Sequence, residues 1–251
     1  MSATGRRYAS AAGALALVVA FAWLVAQQPL WERALSAIFP ESANPVYPGV
    51  TLADLVVRHL AIVGFSSGLT MLVGIPLGVW VTRPSGADFR EIVAAAVDFG
   101  QTFPPIAVLA LMVPILGFGL GPAIVALFLY GLFPVVSNTV AGIEGVPRTL
   151  VDAARGMGMG RARILLTLEV PLAARVIMAG VRTSVVINIG TATVAAAVGA
   201  GGLGDPIIRG INVQNFAYVL QGATAAALLA VVADSLLAVT ERLLTPRGLE
   251  A

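Results

Sequence analysis

The side chains able to do chemistry are sparse here, and their types are restricted. Among 251 residues, 15 are basic and every one is arginine, 13 are acidic, one is histidine and none is cysteine. Thiolate chemistry and disulfides are therefore excluded, and the single His59 cannot build a histidine-based metal cluster. No convergent nucleophile, base and orienting acid stand out, which argues against an enzyme. What remains are polar groups set in apolar surroundings. Arg182 lies inside a long apolar run, where an arginine pairs with an acid or faces water. Asp234, at similar depth in the last apolar run, is the expected partner; Asp98 is the second candidate, and snorkelling of the long stem is the other outcome. Ser184, Asn188 and Thr191 follow at i, i+4 and i+7, on one helical face. That stripe suits either a solute path or hydrogen bonding between helices.

The composition names the solvent of these groups. Hydrophobic residues make up 58% of the chain and charged ones 11%, against about 25% in soluble domains. Such a chain cannot hide its surface from water, so an all-α integral membrane protein is expected. Six runs are long enough to cross a bilayer: residues 10–26, 60–81, 92–116, 121–141, 174–198 and 216–240. The third contains Pro104 and Pro105, and the fourth contains Pro134. The first follows Arg6 and Arg7 as a signal peptide would, but Leu24, Val25 and Ala26 offer no small-x-small cleavage site, so a retained anchor is expected. With the N-terminus inside, Arg6, Arg7, Arg83, Arg90, Arg148, Arg155, Arg161, Arg163, Arg175, Arg242 and Arg247 fall on inner segments, and only Arg33, Arg58 and Arg209 on outer ones. Both termini are then cytoplasmic. A net charge of +2 gives no reason to expect a nucleic-acid partner.

The inner segment between the fourth and fifth runs is too polar to span. Thr149, with Asp152 three residues on, reads as a helix N-cap. Leu150, Val151, Ala154 and Met157 share a face, and Gly158 and Gly160 stop the helix. A second short helix, 161–169, should end before Pro171. By itself this pair suits an amphipathic element lying on the bilayer.

Asp152-Ala153-Ala154, three residues, Gly158, nine residues and Leu168-x-Val170-Pro171 resemble the EAA motif of ABC-importer permeases, with aspartate for glutamate, leucine for isoleucine and valine for leucine. The resemblance implies a MetI-like permease core and gives this segment the role of a coupling helix that docks on a separate ATPase. Asp152, Ala153, Ala154, Gly158 and Pro171 are the coupling residues it implies. The stretches Arg155–Met159, Val186–Thr193 and Gly199–Asp205, and Gln101-Thr102-Phe103-Pro104, look like the osmoprotectant branch, which imports glycine betaine, choline and carnitine. A permease for methionine or another small solute is the fallback. The resemblance covers residues 60–244. It implies an anchor and outer loop at 1–57, a permease domain at 58–244 and a cytoplasmic tail at 245–251. It further implies a bacterial inner-membrane location, an ATPase dimer, a second permease subunit (this chain or a paralogue) and an extracytoplasmic solute-binding protein. No Walker A pattern occurs, so ATP is expected on the partner and no cofactor or metal in this chain.

Two outer features stay open. Gly199, Gly201, Gly202 and Gly204 read as a flexible turn or as a place of close backbone approach. His59 reads as an interfacial residue. A secondary transporter is the competing class, but it would place acids near the midplane, whereas Asp98 and Asp234 lie nearer the inner boundary.

Overall fold

A computed structural model describes residues 3–244, with side chains for 10–243. The expected tail at 245–251 lies outside the described residues. Every regular element is helical: α1 (Ala3–Ala26), α2 (Gln28–Ile38), α3 (Leu52–Val81), α4 (Arg90–Thr102), α5 (Pro105–Leu116), α6 (Leu120–Glu144), α7 (Arg148–Gly156), α8 (Arg161–Ile164), α9 (Val170–Val194), α10 (Gly204–Asn212) and α11 (Phe216–Leu244). A π-turn, Leu165–Glu169, joins α8 to α9.

Four stretches are long and apolar enough to span: α3, α6, the continuous run Arg161–Val198, and α11. Of the other two expected spans, the first lies unbroken within α1 and bends only beyond Ala26, while the third breaks within its length. The α1 run turns by 74° into α2, and α4 turns by 96° into α5. The third run is therefore not one straight helix, as its length suggested. Pro104 and Pro105 remove two N–H donors in succession, and Phe103 takes an extended conformation (ψ 136°) that a residue before proline favours. The second span also starts earlier than hydropathy indicated, because Thr51 caps it. Its Oγ1 accepts from the Asp54 N–H at 3.1 Å and donates to the Asp54 carboxylate at 2.6 Å.

α6 is the central element, packed between α3 and α9, while α11 closes the far side of α9. Lipid tails supply no hydrophobic force between helices, so close backbone approach must hold them. Glycines permit it. A methyl group at Gly74 or Gly78 of α3 would press on Val135 or Thr139 of α6. One at Gly180 of α9 would meet the Pro134 carbonyl and the Asn138 side chain. Pro134 sits inside α6 and cannot donate to the Tyr130 carbonyl four residues back. Gln101 of α4 supplies the donor instead, its Nε2 lying 2.9 Å from that oxygen. This bond ties the bent α4–α5 pair to the central helix.

Candidate functional site

The first helix between α6 and α9 is capped not at Thr149 but two residues earlier. Pro147 occupies the cap position, with no side-chain cap, and Thr149 lies within α7. Proline suits a helix start, since the first N–H groups lack intrahelical partners in any case. Asp152 pairs with Arg155 at 3.2 Å, three residues on, with both side chains largely exposed. Such a pair contributes little. Ala154 is buried and Ala153 exposed, while Leu150 (45%) and Met157 (75%) stand out into the surroundings. The α7 end is a two-bond wrap. The Met159 N–H donates to the Ala154 carbonyl and the Gly158 N–H to the Arg155 carbonyl, with Gly158 left-handed at φ +80°. Nothing lies within 4 Å of a side-chain position on Gly158. Its glycine is needed for conformation within this chain, and its surface is free for another.

Pro171 does not end the second short helix. The chain passes from α8 through the π-turn into α9 as one 38-residue helical run, Arg161–Val198. Pro171 falls in the first turn of α9, where a missing N–H is tolerated. In the π-turn, Glu169 is buried and its Oε2 accepts from Arg83 Nη1 at 2.7 Å.

Arg182 and Asp234 come together on α9 and α11. Nη2 of Arg182 lies 2.8 Å from Oδ1 and 3.0 Å from Oδ2 of Asp234. A second acid that the sequence reading missed, Glu241, accepts from Nη1 at 2.7 Å, and Arg175 lies 3.8 Å from its other oxygen. Glu241 is two helical turns beyond Asp234 on one face of α11, a spacing that would have revealed it. Asp98 is exposed on α4 and is not a partner of Arg182.

The stripe on α9 divides. Ser184 and Asn188 are buried to 1% and 0% exposure, facing α3 and α6, and Asn188 Nδ2 donates to Ser67 Oγ at 3.1 Å. Gly131 of α6 leaves them room: a methyl group there would meet Ser184 Oγ at 2.6 Å. In this conformation Asn188 bonds between helices through its Nδ2, while Ser184 Oγ and Asn188 Oδ1 are buried without a hydrogen-bond partner. Thr191 alone of the three is partly exposed.

On the opposite end, His59 is not interfacial but fully buried. The Leu203 N–H donates to Nδ1 at 3.3 Å, so the proton sits on Nε2, which lies 3.0 Å from the Ile189 carbonyl. The glycine segment is packed against it. Gly201 and Gly202 have φ near +85°; a side chain at Gly201 would collide with Arg58, and one at Gly202 with His59. Close approach, not looseness, explains these glycines. Asp205, just after them, has its carboxyl pushed above the ordinary range by burial, opposed by the nearby Arg58. Among the described residues, no three His, Cys, Asp or Glu side chains gather as a metal site.

Residues 74–246 match the family described as the binding-protein-dependent transport system inner membrane component. The choline transport system permease protein OpuBB of Bacillus subtilis (strain 168) is 45% identical over 194 residues, 77% of this chain and 88% of that one. The osmoprotectant import permease protein OsmY of Salmonella typhimurium is 41% identical over 217 residues, 86% of this chain and 89% of that one. An inward-facing crystal form of the MetNI methionine ABC transporter superposes with a TM-score of 0.69 at 25% identity, covering 78% of this chain and 96% of that one.

Proposed function

Since the chain belongs to the family of binding-protein-dependent transport system inner membrane components, we propose that it lines the path of an ATP-driven importer for quaternary ammonium osmoprotectants. One observation carries the coupling part of this reading. α7 holds Leu150 and Met157 outward on an arginine-rich segment, and Gly158 closes the helix without covering them. Outside the spans, apolar side chains left exposed beside arginines suit a partner or the bilayer surface; membership of a binding-protein-dependent transport family favours the partner. An ATPase dimer is that partner in our reading, with Asp152, Ala153 and Gly158 at the contact, Ala154 buried behind it and Pro171 opening the helix that carries the motion. The arginine asymmetry puts this segment and both termini in the cytoplasm.

The solute class rests on the choline and osmoprotectant permeases, which are more alike to this chain than the methionine transporter is. A binding protein outside would supply selectivity, and a second permease subunit would complete the path. Thr191 is the path residue we retain from the α9 stripe.

The test is uptake in liposomes holding this chain with its ATPase and binding protein. Radiolabelled choline, glycine betaine and carnitine are offered with ATP inside, in the presence of excess methionine. ATP-dependent uptake that methionine does not suppress supports the reading. Methionine uptake alone would move the chain to the amino-acid permeases, and ATP-independent uptake on an ion gradient would make it a secondary transporter.

A further inference from the structure

One ion pair stands where the bonded frame of α3 meets the start of the 38-residue helical run. Arg83, just past the end of α3, donates through Nη1 to Glu169 at 2.7 Å. Its Nε and Nη2 also donate to Thr82 Oγ1 at 3.1 and 3.0 Å, and that hydroxyl donates to the Val79 carbonyl at 2.7 Å. Glu169 is thus linked through three groups to the last turn of α3. Its side chain is 10% exposed and that of Arg83 27%, so the pair is shielded compared with the surface pair on α7.

The backbone is shaped to make this contact. The Val170 N–H donates to the Leu165 carbonyl, five residues back. Ile164 and Glu169 are both buried. Five residues apart on an α-helix, they would point about 140° from one another. The wider π-turn brings them to one face. π-turns are rare and concentrate where a helix has a task beyond packing. Here the turn aims an acid at Arg83.

We infer that the Glu169–Arg83 pair is a strut that makes α3 follow the α7–α8 segment. The inference rests on the reading that this segment receives the ATPase. A push on α7 and α8 enters the long helical run below its π-turn, where the regular α-helical bonding is interrupted. Without a brace the run would flex there and α7–α8 would move alone. With the brace, the inner end of α3 moves with it. Further along, α3 is bonded to α9 again, through Ser67 to Asn188 and through His59 to the Ile189 carbonyl. The strut is the third tie of this pair and the only one of the three next to the α7–α8 segment. Glu169 and Arg83 are positioning residues: they touch no solute and no nucleotide.

Two measurements decide it. In liposomes holding the chain with its ATPase and binding protein, solute uptake and ATP hydrolysis are measured together. Glu169→Gln and Arg83→Gln should each lower solute moved per ATP by about tenfold, within the range of one coupling free energy between sites, while hydrolysis changes by less than about twofold. The double change Arg83→Glu with Glu169→Arg should recover a large part of the ratio. A merely structural role would lower both rates in proportion, and that result would overturn the strut. The second measurement uses the purified chain without partners. It has no cysteine, so spin labels can be placed at Ala162→Cys and Ser85→Cys, both exposed. The distance distribution should be narrow in the parent, broaden in Glu169→Gln and narrow again in the charge swap. Equal widths in all three would also overturn it. This second readout needs neither solute nor ATPase, so a chain that moves no osmoprotectant would count against the proposed function while the strut is judged on distance alone.

Discussion

Arg182 grips Asp234 with two nitrogens, Nε at 3.1 Å and Nη2 at 2.8 Å from the same oxygen, while its third nitrogen reaches Glu241 at 2.7 Å. One arginine thus serves two acids on α11, and the two acids are unequal. The Asp234 side chain is 44% exposed and that of Glu241 15%. Arg182→Ala leaves Asp234 to solvent and Glu241 with Arg175 at 3.8 Å, and should cost about 1–3 kcal/mol. Asp234→Asn leaves the Glu241 bond in place and should cost about 1 kcal/mol, since an exposed partner is screened. The double variant should lose less than the two single losses together. Melting of the purified protein in detergent reads all three, and simple additivity would contradict the pairing.

Gln101 and Pro134 form a second coupled pair. Gln101→Leu removes the donor to the Tyr130 carbonyl and should cost about 1–2 kcal/mol. In a Pro134→Ala background the new N–H at 134 can serve that carbonyl, so Gln101→Leu should then be close to neutral. The same melting assay measures the cycle. A cost unchanged by Pro134→Ala would mean that Gln101 does something else.

Asp205 predicts a pH dependence. Burial raises its folded value, so the folded state binds the proton more tightly than the unfolded chain does. Stability from this group is fully present below the unfolded carboxylate value and is lost as pH rises through the raised folded one. Asp205→Asn, which mimics the protonated form, should therefore raise the melting temperature at neutral pH. The gain should shrink on acidification through the carboxylate range. A gain independent of pH would assign the effect to packing.

Gly158 should tolerate asparagine better than valine. The position is left-handed and uncrowded, so the penalty is conformational, and asparagine enters that region far more readily than a β-branched residue. Gly158→Val and Gly158→Trp should both lower uptake in the reconstituted importer while the amount of inserted protein holds. Transport at the parent rate in Gly158→Trp, with the ATPase bound, would remove this glycine from the coupling surface.

Orientation is testable by labelling. Ala43→Cys lies in the long loop after α2 and Ser85→Cys between α3 and α4, both exposed. An impermeant maleimide should label the first in intact cells and the second only after permeabilisation. Gly86 is unsuitable for this purpose, because a side chain there runs into the Trp80 backbone. The reverse labelling pattern would invert the assigned topology.

The legible parts of this protein were those written in composition and in short-range spacing. The scarcity of charge declares the membrane, and Gly158 closes α7 where its position says it should. Arg182 could be matched to Asp234 because two antiparallel apolar runs set their depths from opposite ends. The illegible parts depend on three-dimensional angles. Proline is tolerated inside spans, so Pro104-Pro105 alone does not distinguish a kink from the 96° turn observed. Pro171 reads as a stop, yet a π-turn just before it carries the helix through. His59 sits near a run boundary by hydropathy, and only the fold shows Leu203 and Ile189 closing over it. Glu169 fell between two motif positions and had no pattern of its own to announce a partner 86 residues away.

The glycine seams at Gly74, Gly78 and Gly180 also set an order of mechanical failure. They join α3, α6 and α9 backbone to backbone, whereas Gly13 of α1 has nothing within 4 Å to fit against. Among the residues with described side chains, α1 leans on α11 and α3 without such a seam. A tether pulling from the N-terminus, or a membrane protease drawing the chain out from that end, would meet its first resistance at Val25, Trp31 and Leu35, which are buried in the main core. The next event would be larger and abrupt, because the three seamed helices share their contacts and yield together. The chain is built as a firmly keyed block with a leading edge held by buried side chains rather than by a glycine seam.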